Sequence, residues 1–351
     1  MALQVLMAHR GIHVAVVGAG VGGVAAVGAL AAAGARVTWL DPSFSAGAFA
    51  KYRDVPANTK VSLLAGHFEQ LIPQGMGAAR TALDQLRTSA YPLRLDADPD
   101  GGEGWCGLNS VADVLCAMTN DILLPRPEVH SIAGQVRRLR QITCADDLGS
   151  WQVDIDDNDG VCGAPLRADA VVLATGCTPS GIPHALRPEA WAGSPKAHEL
   201  PLEEALQLDR LAGHLAVTGS GPVGVVGGGH SGIVVVRALL GLVPAPPPSV
   251  RLFVRRPIQL AQWDPTTEAY GAWGFRGLKG AAAELALEHE LVGRAPPNGP
   301  STPGGRLELW DVDALRTDGR CAGMACALPP AILARRPHPV PIPKPAGRRV
   351  E

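Results

Sequence analysis

Two glycine-rich turns of one type occur at widely separated places in this chain. The first turn spans Gly18–Gly23 and follows the apolar segment 14–17. The second spans Gly227–Gly232 and follows the apolar segment 223–226. An apolar strand, a glycine turn and a helix together form the unit that binds the diphosphate of a dinucleotide at the helix N-terminus. Two such units predict that one polypeptide holds two nucleotides, between which a hydride can pass.

The first turn has each glycine at the spacing that dinucleotide binding requires. Gly18 allows the tight turn, Gly20 lets the backbone approach a pyrophosphate, and Gly23 lets the helix pack closely on the strand. Asp41 ends the next predicted strand, 36–40, where a carboxylate can accept hydrogen bonds from a ribose. FAD and NAD both offer a free ribose hydroxyl, so this motif alone leaves the choice between them open.

The second turn repeats the pattern but is followed by basic residues. Its glycines correspond to those of the first turn: Gly227, Gly229 and Gly232. Ser231 is expected to start the helix. Arg255 and Arg256 follow the predicted strand 250–254, and guanidinium groups suit a 2′-phosphate by charge and bidentate geometry. We therefore expect NADPH at the second turn and FAD at the first. If the arginines are ordinary solvated charges, NADH would serve equally well.

A third motif, Thr175-Gly176 after the buried segment 170–174, lies between the two turns. With it, the chain resembles the two-dinucleotide-binding-domain flavoproteins, in which an Ala-Thr-Gly segment leads from the FAD domain toward the NAD(P)H domain. The resemblance covers about residues 12–295. It implies an α/β fold in which an NAD(P)H-binding Rossmann-like domain is inserted into an FAD-binding Rossmann-like domain. The expected divisions are an FAD domain at 11–205, an NAD(P)H domain at 206–295, and a Gly/Pro-rich, extended or disordered tail at 296–351.

Within that superfamily the chain looks most similar to the flavin-containing monooxygenases. The second turn resembles their GxGxSG motif, and the segment 52–60 resembles the stretch that brings an asparagine to the flavin. By this resemblance Asn58 would hydrogen-bond near the reactive edge of the isoalloxazine; a turn residue that caps local backbone is the alternative. The chain departs from the family at Trp191-Ala-Gly193, where the following histidine, His198, comes one residue late.

Three functions follow from these motifs. The first is an NADPH-dependent flavin monooxygenase that acts with O₂ on a small-molecule substrate. The second is a flavin NAD(P)H reductase without oxygenation. The third is a non-catalytic nucleotide-binding protein. The Asn58 segment favours the first over the second, whereas residues 311–351, which lack a recognisable return to the FAD domain, favour the third. A substrate pocket is expected to be built from segments 42–105 and 257–295.

Composition excludes several other classes of function. The net charge of −2 carries no dominant basic block, so no nucleic-acid partner is expected. The ten histidines form no HxH or HExxH motif, so no metal site is expected. Seven cysteines without a CxxC pair indicate reduced thiols and a cytoplasmic location. The uncharged segment 14–35 splits into strand, turn and helix, so no membrane span is expected. The oligomeric state has no sequence signal.

Overall fold

The computed structural model describes most of the chain. The described residues are 11–72, 77–89, 104–142, 149–157, 164–176, 199–218, 221–261, 263–264, 269–270, 277–293, 306–311 and 331–333. They form two larger sheets, each with its own hydrophobic core, and one short two-stranded pair. Among them, no helix is both long and apolar enough to cross a membrane.

The first sheet has six strands in the order β5-β4-β3-β2-β1-β6. Its strands are β1 (His13–Val17), β2 (Arg36–Asp41), β3 (Val129–Ile142), β4 (Ser150–Asp157), β5 (Leu166–Ala168) and β6 (Ala170–Leu173). Strands β3, β2, β1 and β6 are parallel, whereas β4 and β5 extend the sheet as antiparallel strands. The accompanying helices are α1 (Val21–Ala32), α2 (Ala48–Lys51), α3 (Val61–Leu71), α4 (Gly77–Thr88) and α5 (Leu108–Ala117), the last continuing into a π-helical turn, Met118–Leu123.

Strand β1 lies between β2 and β6, and every one of its five residues is buried. A parallel strand covered on both faces needs an unbroken apolar run, which is why β1 shows no alternation. Helix α1 follows directly and is built from small residues, of which Gly23, Val24, Val27 and Ala31 are buried. Small side chains let the start of α1 lie close to the carboxyl end of β1, where the first glycine turn is formed.

The second sheet has five strands, all parallel, in the order β12-β9-β8-β13-β7. Its strands are β7 (Glu199–Leu200), β8 (Val223–Val226), β9 (Val250–Val254), β12 (Leu307–Asp311) and β13 (Ala331–Leu333); the separate antiparallel pair is β10 (Trp263–Asp264) with β11 (Ala269–Tyr270). The helices are α6 (Leu202–Ala205), α7 (Leu208–Thr218), α8 (His230–Arg237), which continues into a π-helical turn, Ala238–Leu242, and α9 (Gly280–Glu288).

The α/β fold with two Rossmann-like sheets is as expected from the sequence, but the second sheet extends beyond 206–295. Strand β7 precedes this range, and β12 and β13 come from the segment 296–351, for which the sequence indicates no strand. Strand β12 forms because Leu307, Leu309 and Trp310 are buried against the sheet. Two strands of the second sheet thus lie in the segment expected to be an extended or disordered tail, and the three-part domain division stays a prediction.

Candidate functional site

The first glycine turn is held by the strands on both sides of it. Gly18 has a φ of 105°, and its N–H donates to the Leu40 carbonyl at 2.8 Å. A β-carbon at Gly18 would collide with the Ala174 carbonyl, and one at Gly23 would collide with the Gly18 carbonyl. Trp39 donates its indole N–H to that same Gly18 oxygen at 2.9 Å. Both glycines are therefore required by the protein's own packing.

Gly20, unlike Gly18 and Gly23, has open space where a side chain would stand. It precedes α1 with φ −77° and ψ −172°, and a β-carbon there would meet nothing within 4 Å. On another side lies Gly47, whose own β-carbon would stand 3.1 Å from the Gly20 Cα. In the described part of the chain no side chain caps α1, so its first N–H groups can bind an anion.

Asp41, the predicted ribose ligand, is the last residue of β2 and is only 8% exposed. Its Oδ2 accepts the Ala19 N–H at 2.7 Å, and its Oδ1 accepts the N–H groups of Ser43 at 2.9 Å and Phe44 at 2.8 Å. The carboxylate thus ties the glycine turn to the segment after β2. Each carboxylate oxygen has two lone pairs, so Oδ2 retains capacity for one further donor such as a ribose hydroxyl.

The second glycine turn repeats this backbone geometry. Gly227 has a φ of 118°, and its N–H donates to the Phe253 carbonyl at 2.8 Å. Gly229 precedes α8 with φ −81° and ψ 175°, and a β-carbon there would also meet nothing within 4 Å. Ser231 and Gly232 lie in the first turn of α8, with Gly232 buried. The turn therefore presents a second open helix N-terminus of the same kind.

The residues after β9 differ from those after β2. Because Leu40 and Phe253 accept the equivalent hydrogen bonds, the structural counterpart of Asp41 is Val254. Val254 is 3% exposed, and a β-carbon at Gly228 would stand 2.8 Å from its Cγ1. Arg255 and Arg256 follow, and both are exposed. The structure thus places the two predicted phosphate ligands in solvent, just past the end of β9.

The Ala-Thr-Gly motif lies beside the first turn. The Ala174 N–H donates to the Val17 carbonyl at 2.8 Å, which carries the pairing of β1 and β6 one residue beyond the strands. Thr175 and Gly176 follow at the carboxyl end of the sheet, and Gly176 has a φ of 68°. The Thr175 backbone nitrogen would stand 3.3 Å from a β-carbon at Gly18, so Thr175 lies beside the first turn, and the assignment of Thr175 and Gly176 to the cofactor site stays a prediction.

The Asn58 segment lies where the two halves of the molecule meet, the first half being built around the six-stranded sheet and the second around the five-stranded sheet. Its backbone is anchored to the first half: the Ala57 N–H donates to the Cys106 carbonyl at 2.7 Å, and the Leu108 N–H to the Val55 carbonyl at 2.9 Å. Asn58 is exposed and lines a cavity of about 200 Å³ together with Ser231 of the second turn. The structure therefore brings the predicted flavin-contacting residue to the predicted NADPH turn.

A larger cleft of about 1080 Å³ lies between the same two halves. The Arg237 guanidinium stands 5.3 Å from the centroid of the Trp105 ring, a cation–π contact between helix α8 and the segment that precedes α5. Glu284 and Leu285 of α9 also line this cleft. Both cavities take residues from the two segments expected to form a substrate pocket, 42–105 and 257–295.

Two contacts at the site were not predicted from the sequence. One joins His230 to Lys279, and the other joins Arg237 to Trp105. The histidine could have been singled out, because it stands inside the second glycine turn as GGGHSG. Nothing in the sequence pairs Arg237 with Trp105, because that contact exists only once both halves are assembled. The departure at Trp191–Gly193 and His198 lies outside the described residues.

The cysteines near the site are poorly suited to thiol chemistry. Burial raises the pKa of Cys106 to about 11. Burial, with the nearby Asp113 carboxylate, also raises the pKa of Cys116. A thiol must ionise to act as a nucleophile, so neither residue provides a reactive thiolate at neutral pH. Among the described residues, no group of three His, Cys, Asp or Glu side chains could hold a metal ion.

Two glycine turns, each leading from a parallel strand into an open helix N-terminus, are typical of α/β proteins that bind two dinucleotides. Residues 12–242 match the family described as pyridine nucleotide-disulphide oxidoreductase, and the chain belongs to this family. It is a flavin oxidoreductase.

One curated protein resembles this chain in sequence, and several solved structures resemble it in fold. The monooxygenase AgnR1 of Paecilomyces divaricatus is 30% identical over 290 residues, which make up 80% of this chain and 68% of AgnR1. The ornithine N-hydroxylase KtzI of Kutzneria sp. 744 is 14% identical, with a TM-score of 0.53 over 86% of this chain and 71% of KtzI. The OTEMO structure with FAD and NADP is 15% identical, with a TM-score of 0.40 over 72% of this chain. This chain spans only 40% of the OTEMO chain.

Proposed function

We propose that this protein is an FAD- and NADPH-dependent monooxygenase that acts with O₂ on a small molecule. The observation that carries the proposal is the cavity in which Asn58, from the predicted FAD domain, meets Ser231 of the second glycine turn. NADPH bound by its diphosphate at that turn would extend its nicotinamide toward a flavin edge beside Asn58. The 30% identity to the monooxygenase AgnR1 supports oxygenation over simple reduction.

The first turn has the shape of a dinucleotide site, and we assign it to FAD because the charges at the second turn favour NADPH there. The open face of Gly20, the free N–H groups of α1 and the remaining lone pair of Asp41 suit a diphosphate and an adjoining ribose. Thr175 and Gly176 lie beside this turn and are assigned to the same site. The FAD domain is proposed to span 11–205.

The second turn fits NADPH by its charge. Gly229, Ser231 and Gly232 supply the open helix N-terminus. Val254 puts no carboxylate beside the adenosine ribose, and the exposed Arg255 and Arg256 can pair with a 2′-phosphate. This combination favours NADPH over NADH, because a phosphate gains from guanidinium groups and loses beside an acid.

Bound FAD would supply the hydride acceptor and the centre that reacts with O₂, while the chain positions the partners and restricts water. The Thr59 hydroxyl donates to the Asn58 Oδ1 at 3.3 Å. The amide N–H groups of Asn58 are therefore the part left to donate toward a ligand in the cavity. We place the enzyme in the cytoplasm, where reduced cysteines are expected.

The visible spectrum of the purified protein gives the first test. Flavin bands at near-stoichiometric yield support the proposal, and a colourless protein that takes up no added FAD contradicts it. The reduced protein is then mixed with O₂ in a stopped-flow instrument. A delay of seconds before the oxidised spectrum returns supports a monooxygenase, and an immediate return indicates a reductase.

The Asn58→Ala variant tests the assigned residue. We expect it to bind FAD and to shorten that delay at least tenfold, because one hydrogen bond to the flavin edge is lost and each 1.4 kcal/mol corresponds to about a tenfold change. Asn120→Ala is the matched control, since Asn120 is an exposed asparagine on the π-helical turn after α5. Equal delays in both variants would remove Asn58 from the proposed site.

A further inference from the structure

A histidine links the second glycine turn to a second helix start. His230 is the first residue of α8, and its Nε2 accepts the backbone N–H of Lys279 at 2.9 Å. Lys279 immediately precedes α9, so this bond joins the beginnings of two helices that are 49 residues apart. An imidazole nitrogen accepts a hydrogen bond only when it carries no proton, so the ring proton of a neutral His230 is on Nδ1.

The start of α9 in turn abuts the Asn58 segment. Gly280 has a φ of 54°, and a β-carbon there would stand 3.4 Å from the Ala57 carbonyl oxygen. Asn58, His230 and Lys279 all line the same cavity of about 200 Å³. The His230 hydrogen bond and the close approach of Gly280 to the Ala57 carbonyl therefore connect the second glycine turn, through the start of α9, to the loop that carries Asn58.

We propose that His230 is a positioning residue that sets the distance between the NADPH turn and the Asn58 loop. The inference rests on the proposed function, because it needs NADPH at the second turn and FAD beside Asn58. Flavin reduction transfers a hydride, two electrons with one proton, from the nicotinamide of NADPH, which leaves as NADP⁺. Such a step depends steeply on geometry: a misplacement of about 1 Å can cost on the order of 100-fold in rate.

The imidazole does not need to touch either cofactor to act in this way. It occupies the place where α8, α9 and the Asn58 loop converge, and its bond satisfies one of the N–H groups left open at a helix start. Replacing it by an apolar side chain leaves the Gly227–Gly229 turn intact, so the diphosphate site persists while its orientation toward Asn58 is lost. The expected defect is therefore in the rate of hydride transfer more than in nucleotide affinity.

Three variants and one control separate this role from general stability. His230→Leu and His230→Asn remove the acceptor at the Nε2 position, whereas His230→Gln places its Oε1 there. His214→Leu is the control, because His214 also makes a side-chain hydrogen bond in the same half. Its Nε2 lies on α7, 2.8 Å from a carboxylate oxygen of Glu204 on α6. The FAD-loaded proteins are mixed anaerobically with saturating NADPH, and the limiting rate of flavin bleaching is measured.

We expect His230→Leu and His230→Asn to reduce flavin roughly 10- to 100-fold more slowly than the unmodified protein. His230→Gln should recover the rate to within about threefold, and His214→Leu should retain it, because only a restored acceptor at the cavity re-establishes the geometry. NADP⁺ affinity of the oxidised proteins, measured by calorimetry, should change by less than about tenfold, since the open N–H groups at Gly229 remain. Hydrogen exchange should speed up at the Lys279 amide in the Leu and Asn variants and not in the Gln variant.

Several results would overturn the inference. A wild-type rate of flavin reduction in both His230→Leu and His230→Asn would do so, and so would a Gln variant as slow as these two. Loss of NADP⁺ affinity with an unchanged limiting rate would make His230 a binding residue instead. If the unmodified FAD-loaded protein is not reduced by NADPH, the proposed function fails together with this inference. If NADPH reduces the unmodified protein and the His230 variants at the same rate, only the proposed role of His230 is overturned.

Discussion

Val254 occupies in the second half of the molecule the position that Asp41 occupies in the first. The equivalence follows from the backbone hydrogen bonds of the two turns. The N–H of Gly18 donates to the carbonyl of Leu40, which precedes Asp41, and the N–H of Gly227 donates to the carbonyl of Phe253, which precedes Val254, each at 2.8 Å. The first turn is thus tied by a carboxylate that accepts the Ala19 N–H, whereas the second is packed against a buried isopropyl group. The two glycine turns therefore share one backbone geometry but lie beside chemically different side chains.

Nucleotide choice should depend on Arg255. For Arg255→Ala we expect the KM for NADPH to rise roughly 10- to 100-fold, because a hydrogen bond to a charged group contributes about 1.5–3 kcal/mol. The KM for NADH, which has no 2′-phosphate, should stay within about twofold on the same reasoning. Steady-state oxidation of each nucleotide, followed by the loss of nicotinamide absorbance, measures both constants.

The control for that change is Arg210→Ala, which removes the same charge from an exposed position on α7. It should leave both constants unchanged. A parallel rise for NADPH and NADH in Arg255→Ala would show that this arginine does not recognise the 2′-phosphate.

Two adjacent glycines of α1 should differ sharply in their tolerance of a methyl group. Gly23→Ala pushes its β-carbon into the Gly18 carbonyl, whereas the β-carbon of Gly22→Ala would stand at an ordinary 3.6 Å from the Ala174 Cβ. We expect Gly23→Ala to lose FAD or to fold poorly, with destabilisation of about 3 kcal/mol or more from backbone displacement. Gly22→Ala should purify with normal flavin content.

Flavin content per chain and the thermal midpoint of unfolding check this pair. Equal values in both variants would mean that α1 can shift away from β1 without affecting the site, contrary to the close approach of the Gly18 carbonyl to Gly23.

The open glycines predict a cleaner separation of the two sites. Because β-carbons at Gly20 and Gly229 would meet no protein atom, alanine at either place should leave folding intact and obstruct only a ligand. Gly20→Ala should lose FAD. Gly229→Ala should keep FAD and weaken NADP⁺ binding by roughly tenfold or more, the effect of about 1.4 kcal/mol. Calorimetric titration with each nucleotide distinguishes the two, and loss of both ligands from either variant would contradict two independent sites.

Much of the nucleotide frame was predictable from the sequence, because it is local. A buried strand, a glycine turn and a helix are contiguous in each half, so the apolar segments 14–17 and 223–226 lie in β1 and β8, and each glycine turn leads into a helix as the pattern predicts. The equivalence of Asp41 with Val254, by contrast, depends on the register of β2 and β9 against their neighbours. Sequence alone aligned Asp41 with Arg255-Arg256, because all three stand at a strand end.

Two other elements, α3 and β13, were not predicted from the sequence, and the physical reasons differ. Helix α3 does carry a helical pattern, with Val61, Ala65 and Phe68 buried on one face, but it lies in a stretch of mixed composition. Strand β13 has only three residues within a proline-rich segment, and its pairing with β7 and β8 bridges a long sequence separation. Short strands of this kind have no periodicity from which to be recognised.

Stability in acid should depend on His13, which lies at the opposite end of β1 from the glycine turn. His13 begins β1, is 9% exposed, and its Nε2 lies 2.8 Å from the Thr38 hydroxyl oxygen. Burial, with the Arg36 guanidinium, lowers the pKa of His13 below 6.5, while the Asp169 carboxylate acts in the opposite direction. The folded protein therefore holds this imidazole neutral under conditions in which the unfolded chain protonates it.

The sign of the effect follows from proton linkage: the unfolded chain binds the extra proton as the pH falls below 6.5, so the free energy of unfolding decreases there and is fully retained above it. One such group changes stability by at most about 1.4 kcal/mol per pH unit. His13→Gln, which can still bond the Thr38 hydroxyl but does not titrate, should have a shallower decrease between about pH 6.5 and 5 in urea unfolding. Identical pH dependence in the two proteins would show that His13 is not the group that senses acid.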